Sequence, residues 1–146
     1  MKLDELNKEL YALNSRIKGI LRASGFEDWG EVEVEHDTQN PDEVMLANEY
    51  RQIVERLDGI SHSLEYFMLP VAKQGKLRLN RNGRYELDGA ELTSGEGVEV
   101  LLYDDCMERW EWYASRIESR NGKYYLVGKS DLDLEGVTAR QRERRW

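Results

Sequence analysis

"KLRLNRNGRYEL", residues 76–87, is where the hydrophobic rhythm of this chain changes. Before it, apolar residues recur every three or four positions. Within it, Leu77, Leu79, Tyr85 and Leu87 alternate with polar neighbours around Asn82-Gly83. Alternation with period 2 marks a half-buried strand, and Asn-Gly between two such runs marks a hairpin. A two-residue Asn82-Gly83 loop would set Leu79 opposite Glu86. A three-residue Arg81-Asn82-Gly83 loop instead pairs Leu79 with Tyr85 and Leu77 with Leu87, which buries one consistent face. It also puts Gly83 at the left-handed position that follows a type I turn. The stretch therefore predicts a β-rich second half, with a domain boundary near residues 70–75.

Further on come a turn at Asp88-Gly89, "GVEVLLY" at 97–103, "WEWYASRIES" at 110–119, "KYYLVG" at 123–128 and "EGVTAR" at 135–140, giving six short strands or fewer. Strands this short and close predict a small antiparallel barrel or sandwich, and about 70 residues suits an SH3-like barrel. Its core candidates are Leu77, Leu79, Tyr85, Leu87, Val98, Val100, Leu102, Ile117 and Val137. The register of the 110–128 hairpin stays open. A two-residue Asn121-Gly122 turn aligns Ile117 with Leu126 and turns Trp112 and Tyr125 to the other face; a three-residue loop aligns Ile117 with Tyr125 and turns Trp112 and Tyr124 out. In both, Trp112 and one tyrosine share the face opposite Ile117, either packed under the helices or exposed as a barrel surface with Arg116.

Upstream, Leu3, Leu6, Leu10, Leu13, Ile17 and Ile20 are spaced 3, 4, 3, 4, 3, and Leu46, Tyr50, Ile53, Leu57, Ile60, Leu64 and Phe67 are spaced 4, 3, 4, 3, 4, 3. This is the a/d rhythm of a helical seam. Gly25 suits a left-handed cap after the first helix. Asn40, Pro41 and Glu43 suit the cap, first position and capping-box carboxylate of the second. Two such helices predict an antiparallel, coiled-coil-like hairpin joined seam to seam, the second helix longer by about seven residues, or roughly 10 Å at 1.5 Å per residue. The expected organisation is a helical hairpin at 1–72 with an acidic inter-helix loop at 24–41, a small β-barrel at 73–140 and a basic tail at 141–146, an α+β chain overall.

The inter-helix loop is unusually long for a helical hairpin and carries eight carboxylates and no Lys or Arg between residues 27 and 43. Glu31-Val32-Glu33-Val34-Glu35 alternates like a strand behind Phe26 and Trp29. Of the net charge of −8, residues 1–74 hold −7 (15 acids against 8 Lys and Arg) and residues 75–146 hold −1 (14 against 13). A negative field of this kind disfavours duplex backbones and suits a basic protein surface. The partner-binding candidates are accordingly Phe26, Glu27, Asp28, Trp29, Glu31, Glu33, Glu35 and Asp37. Self-association through the helical seam is a second expectation.

The second half carries Gly83-Arg84-Tyr85, Glu91-Leu92 with Ser94-Gly95, Glu99-Val100, Trp112 ahead of Arg116-Ile117-Glu118, Tyr125-Leu126-Val127-Gly128, and Leu134-Glu135-Gly136 before Ala139-Arg140. Over about residues 75–140 it resembles a family of small bacterial domains of unknown function found on phages and other mobile elements. The resemblance implies a compact β module of mobile-element origin and brings no activity with it.

Chemistry-bearing motifs are few. His36 and His62 have no second ligand at metal spacing, so no metal or cofactor is expected. Cys106, the one cysteine, sits among Asp104, Asp105 and Glu108, which oppose a thiolate. No phosphate loop, dinucleotide fingerprint or nucleophile elbow occurs, and an enzyme is not expected. No apolar run is long enough to span a membrane, and a cytoplasmic protein of a bacterial host cell is expected. The function expected is a non-enzymatic interaction module of a phage or mobile element, in its sharpest form an anti-defence, anti-CRISPR-like inhibitor whose acids occupy a basic groove. The alternative is a nucleic-acid accessory factor acting through Arg78, Arg81, Arg84, Arg140, Arg142, Arg144 and Arg145.

Overall fold

In a computed structural model describing residues 1–144, the heptad-patterned part forms α1 (Leu3–Ala23), a four-residue α2 (Phe26–Trp29) and α3 (Pro41–Met68). The chain divides into two units, Met1–Met68 and Leu69–Trp146. α1 ends as its sequence signals: Gly25 takes φ 78° and its N–H donates to the Arg22 carbonyl at 3.2 Å. α3 begins where Asn40 Oδ1 accepts the Asp42 N–H at 3.0 Å. Glu43, expected to reach back to the Asn40 amide, instead accepts the Asp37 N–H at 2.6 Å, because the chain folds into a turn closed by Asn40 N–H on the Asp37 carbonyl.

Lys18 pairs with Glu65 at 2.7 Å, and Arg51 Nε donates to the Val32 carbonyl at 3.4 Å. With Asp37 held by Glu43, rising numbers from 18 to 37 meet falling numbers from 65 to 43. α1 and the connection together run antiparallel to α3. The hairpin is therefore not joined seam to seam along its length: α1 lies beside the C-terminal part of α3, and the connection lies beside the N-terminal part. The 28 residues of α3 do exceed the 21 of α1 by seven.

The buried stripes follow the leucine heptads only in part, at Ile17 and the half-buried Leu57. They are Asn14, Ile17 and Leu21 on α1 and Ala47, Val54 and Ser61 on α3, while Leu13, Ile20, Ile53 and Ile60 are each 45–47% exposed. Small residues at the facing positions let helix backbones approach closely, and the connection supplies the missing apolar bulk: Phe26, Val32 and Val34 pack with Ile17, Leu21, Val54 and Leu57. Among the described residues, Asn14 Oδ1 is the buried side-chain atom left without a hydrogen-bond partner.

The second unit is antiparallel throughout. Its strands are β1 (Val71–Lys76), β2 (Arg78–Leu79), β3 (Tyr85–Leu87), β4 (Ala90–Glu91), β5 (Gly97–Asp104), β6 (Arg109–Arg120), β7 (Lys123–Leu126) and β8 (Thr138–Arg142). They form a five-stranded sheet, β1-β8-β5-β6-β7, and a three-stranded one, β2-β3-β4. Among the described residues no ladder joins β1 to β7, so no closed barrel is found and the expected SH3-like closure is not confirmed. Gln141 and Arg142 belong to β8 and Glu143 N–H bonds the Pro70 carbonyl at 2.9 Å, so the expected basic tail is part of the sheet region as far as it is described.

The 76–87 hairpin adopts the three-residue loop: Leu79 faces Tyr85, Arg78 faces Glu86, and Gly83 takes φ 75°. The 110–128 hairpin adopts the two-residue turn, with Ile117 opposite Leu126 and both Asn121 and Gly122 at positive φ, 53° and 76°. That is the turn whose twist matches the strands. The core gathers Leu77, Tyr85, Leu87, Val98, Val100 and Ile117, with Leu102 and Val137 packed against it. Leu79, expected inside, is 53% exposed: β2 is two residues long, and past Leu77 the hairpin runs beyond the core, its Leu79 N–H held at 2.6 Å by Glu135. Leu92, Leu126, Leu134 and Ala139 complete the core without having been singled out by alternation.

Candidate interaction surface

The acidic connection is anchored along its inner side. Glycines at φ 78° and 68°, Gly25 and Gly30, bracket α2, and the Gly30 N–H closes it on the Phe26 carbonyl at 2.8 Å. Phe26 then faces the helices while Trp29 stands 75% exposed. Beyond α2 the chain is extended and unpaired with any strand, yet it alternates as expected: Val32, Val34 and His36 face inward, and Glu31, Glu33, Glu35 and Asp37 face solvent. Its backbone is pinned by the Glu33 N–H on the Ser24 carbonyl at 3.1 Å and by Arg51 on Val32, while His36 Nδ1 contacts the Val34 carbonyl at 2.8 Å.

Six carboxylates result, those of Glu27, Asp28, Glu31, Glu33, Glu35 and Asp37. All are exposed, and none is in an ion pair among the described residues. Like charges on a pinned extended backbone hold a local negative potential that their own unit does not neutralise, and Trp29 adds an uncovered ring beside them.

On the sheet unit the predicted residues meet a different fate. Glu99, 1% exposed, takes Arg140 at 2.9 Å and Arg142 at 2.6 Å, and the Arg140 guanidinium lies 3.9 Å from the Trp112 ring centroid. Trp112 is thus half-buried beneath a charged pair and is not an open platform. Tyr124 packs against the core with Arg84 at 5.8 Å, Tyr125 lies 5.5 Å from Arg120, and Arg116 pairs with Glu118 at 3.1 Å.

Three further arginines of the nucleic-acid alternative are also engaged with carboxylates: Arg78 with Glu135 at 3.6 Å, Arg84 with Glu91 at 3.5 Å and Arg144 with Glu96 at 2.7 Å. Arg81 is exposed and outside any ion pair among the described residues, and Arg145 lies outside those residues. Pattern reading passed over one exposed group, the tip of the β5–β6 hairpin. There Trp110 and Tyr103 are 65% and 49% exposed and meet edge to face at 5.5 Å. Their heptad-free, alternating setting gave no signal beyond an ordinary strand.

Among the described residues no cluster of three His, Cys, Asp or Glu is placed to hold a metal ion, and no helix is long and apolar enough to cross a membrane. Cys106 is exposed, its N–H on Asp104 Oδ1 at 2.8 Å.

The chain is thus of mixed α and β class, an N-terminal helical part followed by antiparallel sheet. Residues 75–141 match the model of a family described as a domain of unknown function (DUF5348), which spans the sheet unit from the end of β1 to β8 and leaves the helices unmatched. No curated protein and no solved structure matches the chain.

Proposed function

We propose that this protein is a non-enzymatic interaction module that binds a basic protein surface through the acidic connection, with Trp29 as its apolar anchor. One observation carries the reading: Val32 and Val34 lock the connection onto the helices, which turns Glu31, Glu33 and Glu35 outward as a fixed row of unneutralised charge. Prearranged charge speeds encounter and selects a partner of opposite sign. In the sharper form of the proposal, the partner's basic surface is a nucleic-acid groove of a defence system, and the protein is an anti-defence inhibitor carried on a phage or mobile element in the bacterial cytoplasm. The nucleic-acid alternative draws less support, because Arg140 and Arg142 are committed to Glu99 and most of its other arginines to single carboxylates.

The test is affinity capture from a bacterial lysate with the wild-type chain and with Glu31→Lys/Glu33→Lys/Glu35→Lys, followed by mass spectrometry and by sequencing of any nucleic acid eluted. The expected result is a protein partner that the wild type retains at low salt, that is lost as salt rises through a few tenths molar, and that the variant does not retain. A partner captured equally by both chains would sink the acidic-row reading, and recovery of nucleic acid alone would favour the alternative.

A further inference from the structure

The helical unit carries a second recognition feature on its other side. Leu13 and Ile20 immediately precede buried Asn14 and Leu21 on α1, and Leu46, Ile53 and Ile60 immediately precede buried Ala47, Val54 and Ser61 on α3. Successive helical residues are about 100° apart, so each exposed stripe is rotated by the same angle, in the same sense, from its buried stripe. In two antiparallel helices equal rotations of this sense point to the same side of the pair. The exposed heptads therefore lie on one side of the unit as a staggered apolar strip, with Leu13 and Ile20 of α1 beside the C-terminal part of α3 at Ile60 and with Ile53 and Leu46 continuing it along α3.

The connection lies on the opposite side. Lys18, Asp58 and His62 line a cleft with Phe26 and Glu27, and each follows the buried positions in the sense contrary to the strip. Arg51 and Glu55, which border the connection at Val32, do the same. One side of the helical pair thus holds the acids and the other holds uncovered leucine and isoleucine.

We propose that this strip is a self-association surface and that its occupant is the same strip of a second copy, forming a two-fold, four-helix contact. Two observations favour a second copy. The spacing of seven at 6, 13 and 20 and at 46, 53 and 60 is the repeat that another pair of helices matches. Half-exposed side chains of this size leave roughly 80 Å² each, and with Tyr50 the strip reaches on the order of 500–600 Å², close to the ~800 Å² per partner of a standard interface once its rim is added. The rim does not oppose it: within the helices the residues four before each strip position are Glu9 and Arg16 on α1, net 0, and Asp42, Glu49 and Arg56 on α3, net −1, so each helix carries both signs. Such a dimer also keeps the two acidic connections on outer faces, away from each other.

Sedimentation velocity of the full chain over a concentration series tests this. A monomer–dimer equilibrium is expected, weakened at least about 100-fold by Ile53→Glu/Ile60→Glu with the far-UV helix signal unchanged. Glu31→Lys/Glu33→Lys/Glu35→Lys leaves the dimer intact, which separates this surface from the partner-binding one. Should the double glutamate variant lose helix, hydrogen exchange of the unmodified chain decides: protection across residues 46–60 rises with concentration if the proposal holds. A wild type that stays monomeric at high micromolar concentration, protection independent of concentration, or a dimer abolished by the lysine variant overturns it.

Discussion

Glu99, on β5, is a carboxylate enclosed by the sheet unit. In "GVEVLLY" it occupies an outward position of an alternating strand, where a carboxylate is ordinarily solvated. It is instead 1% exposed and shared by two guanidinia, with Arg142 also donating to the Leu69 carbonyl at 2.8 Å. Removing one member of a buried ionic group strands the others, so Glu99→Ala is expected to cost about 3–5 kcal/mol, read as a lower urea midpoint at constant slope. A midpoint shift under about 0.5 kcal/mol would show that water relieves the arginines. Tyr85 offers a pH test. Burial, reinforced by the nearby carboxylates of Asp133 and Glu135 and opposed by a hydrogen bond from the Leu134 backbone, raises its phenol above the ordinary 10.0. The folded chain holds this proton more tightly than the unfolded one. The associated stability is fully present below pH 10.0 and is lost as pH rises through the folded value. Thermal melts above that pH should fall more steeply for the wild type than for Tyr85→Phe.

At the scale of elements, turn chemistry was legible and burial was only partly so. Asn-Gly occurs twice, and neighbouring residues set different loops. Asn80 Oδ1 accepts both the Asn82 and Arg84 N–H groups, at 2.9 and 3.0 Å, which stabilises the longer 81–83 loop, whereas Asn121-Gly122 closes as a two-residue turn. The heptads correctly announced two helices and part of the packed face, Ile17 and Leu57, but the buried stripe is rotated so that Leu13, Ile20, Ile53 and Ile60 fall outside it, because periodicity specifies a face to within one position and the small residues beside it decide how close two helices can come. The connection's alternation was legible as well; that its valines pack on helices and form no strand ladder was not. Its geometry rests on the start of α3. Asn40→Ala, which removes the cap on the Asp42 N–H, is expected to cost about 1 kcal/mol. The checks are thermal denaturation and faster hydrogen exchange at residues 41–44; unchanged exchange there would mean that Pro41 and the Glu43–Asp37 bond hold the helix start alone.

At the scale of the whole molecule, the two units differ in how much core each owns. The sheet unit gathers ten buried side chains from residues 77–139, whereas the helical unit's apolar cluster has four, Ile17, Leu21, Val32 and Val54. Below about 70–80 residues a core that small supplies little net stability. Residues 69–146 expressed alone should therefore unfold in one cooperative transition, while residues 1–68 alone should melt at a lower temperature and less cooperatively. Circular dichroism melts of each fragment are the check; a 1–68 fragment that melts as sharply and as high as 69–146 would contradict it. By itself the sequence determined that this chain has a helical first part and an antiparallel β second part, where the two meet, and that the 76–87 hairpin takes a three-residue loop, since periodicity, caps and glycines act within a few residues; for the 110–128 hairpin it left two turns open, and the structure chose the two-residue one. Only the tertiary structure decided which apolar stripe is buried, how the strands divide into a five-stranded and a three-stranded sheet, and that Glu99 is interior while Glu31, Glu33 and Glu35 stay in water. Those outcomes depend on which distant side chains arrive to cover a face, and no local pattern records that.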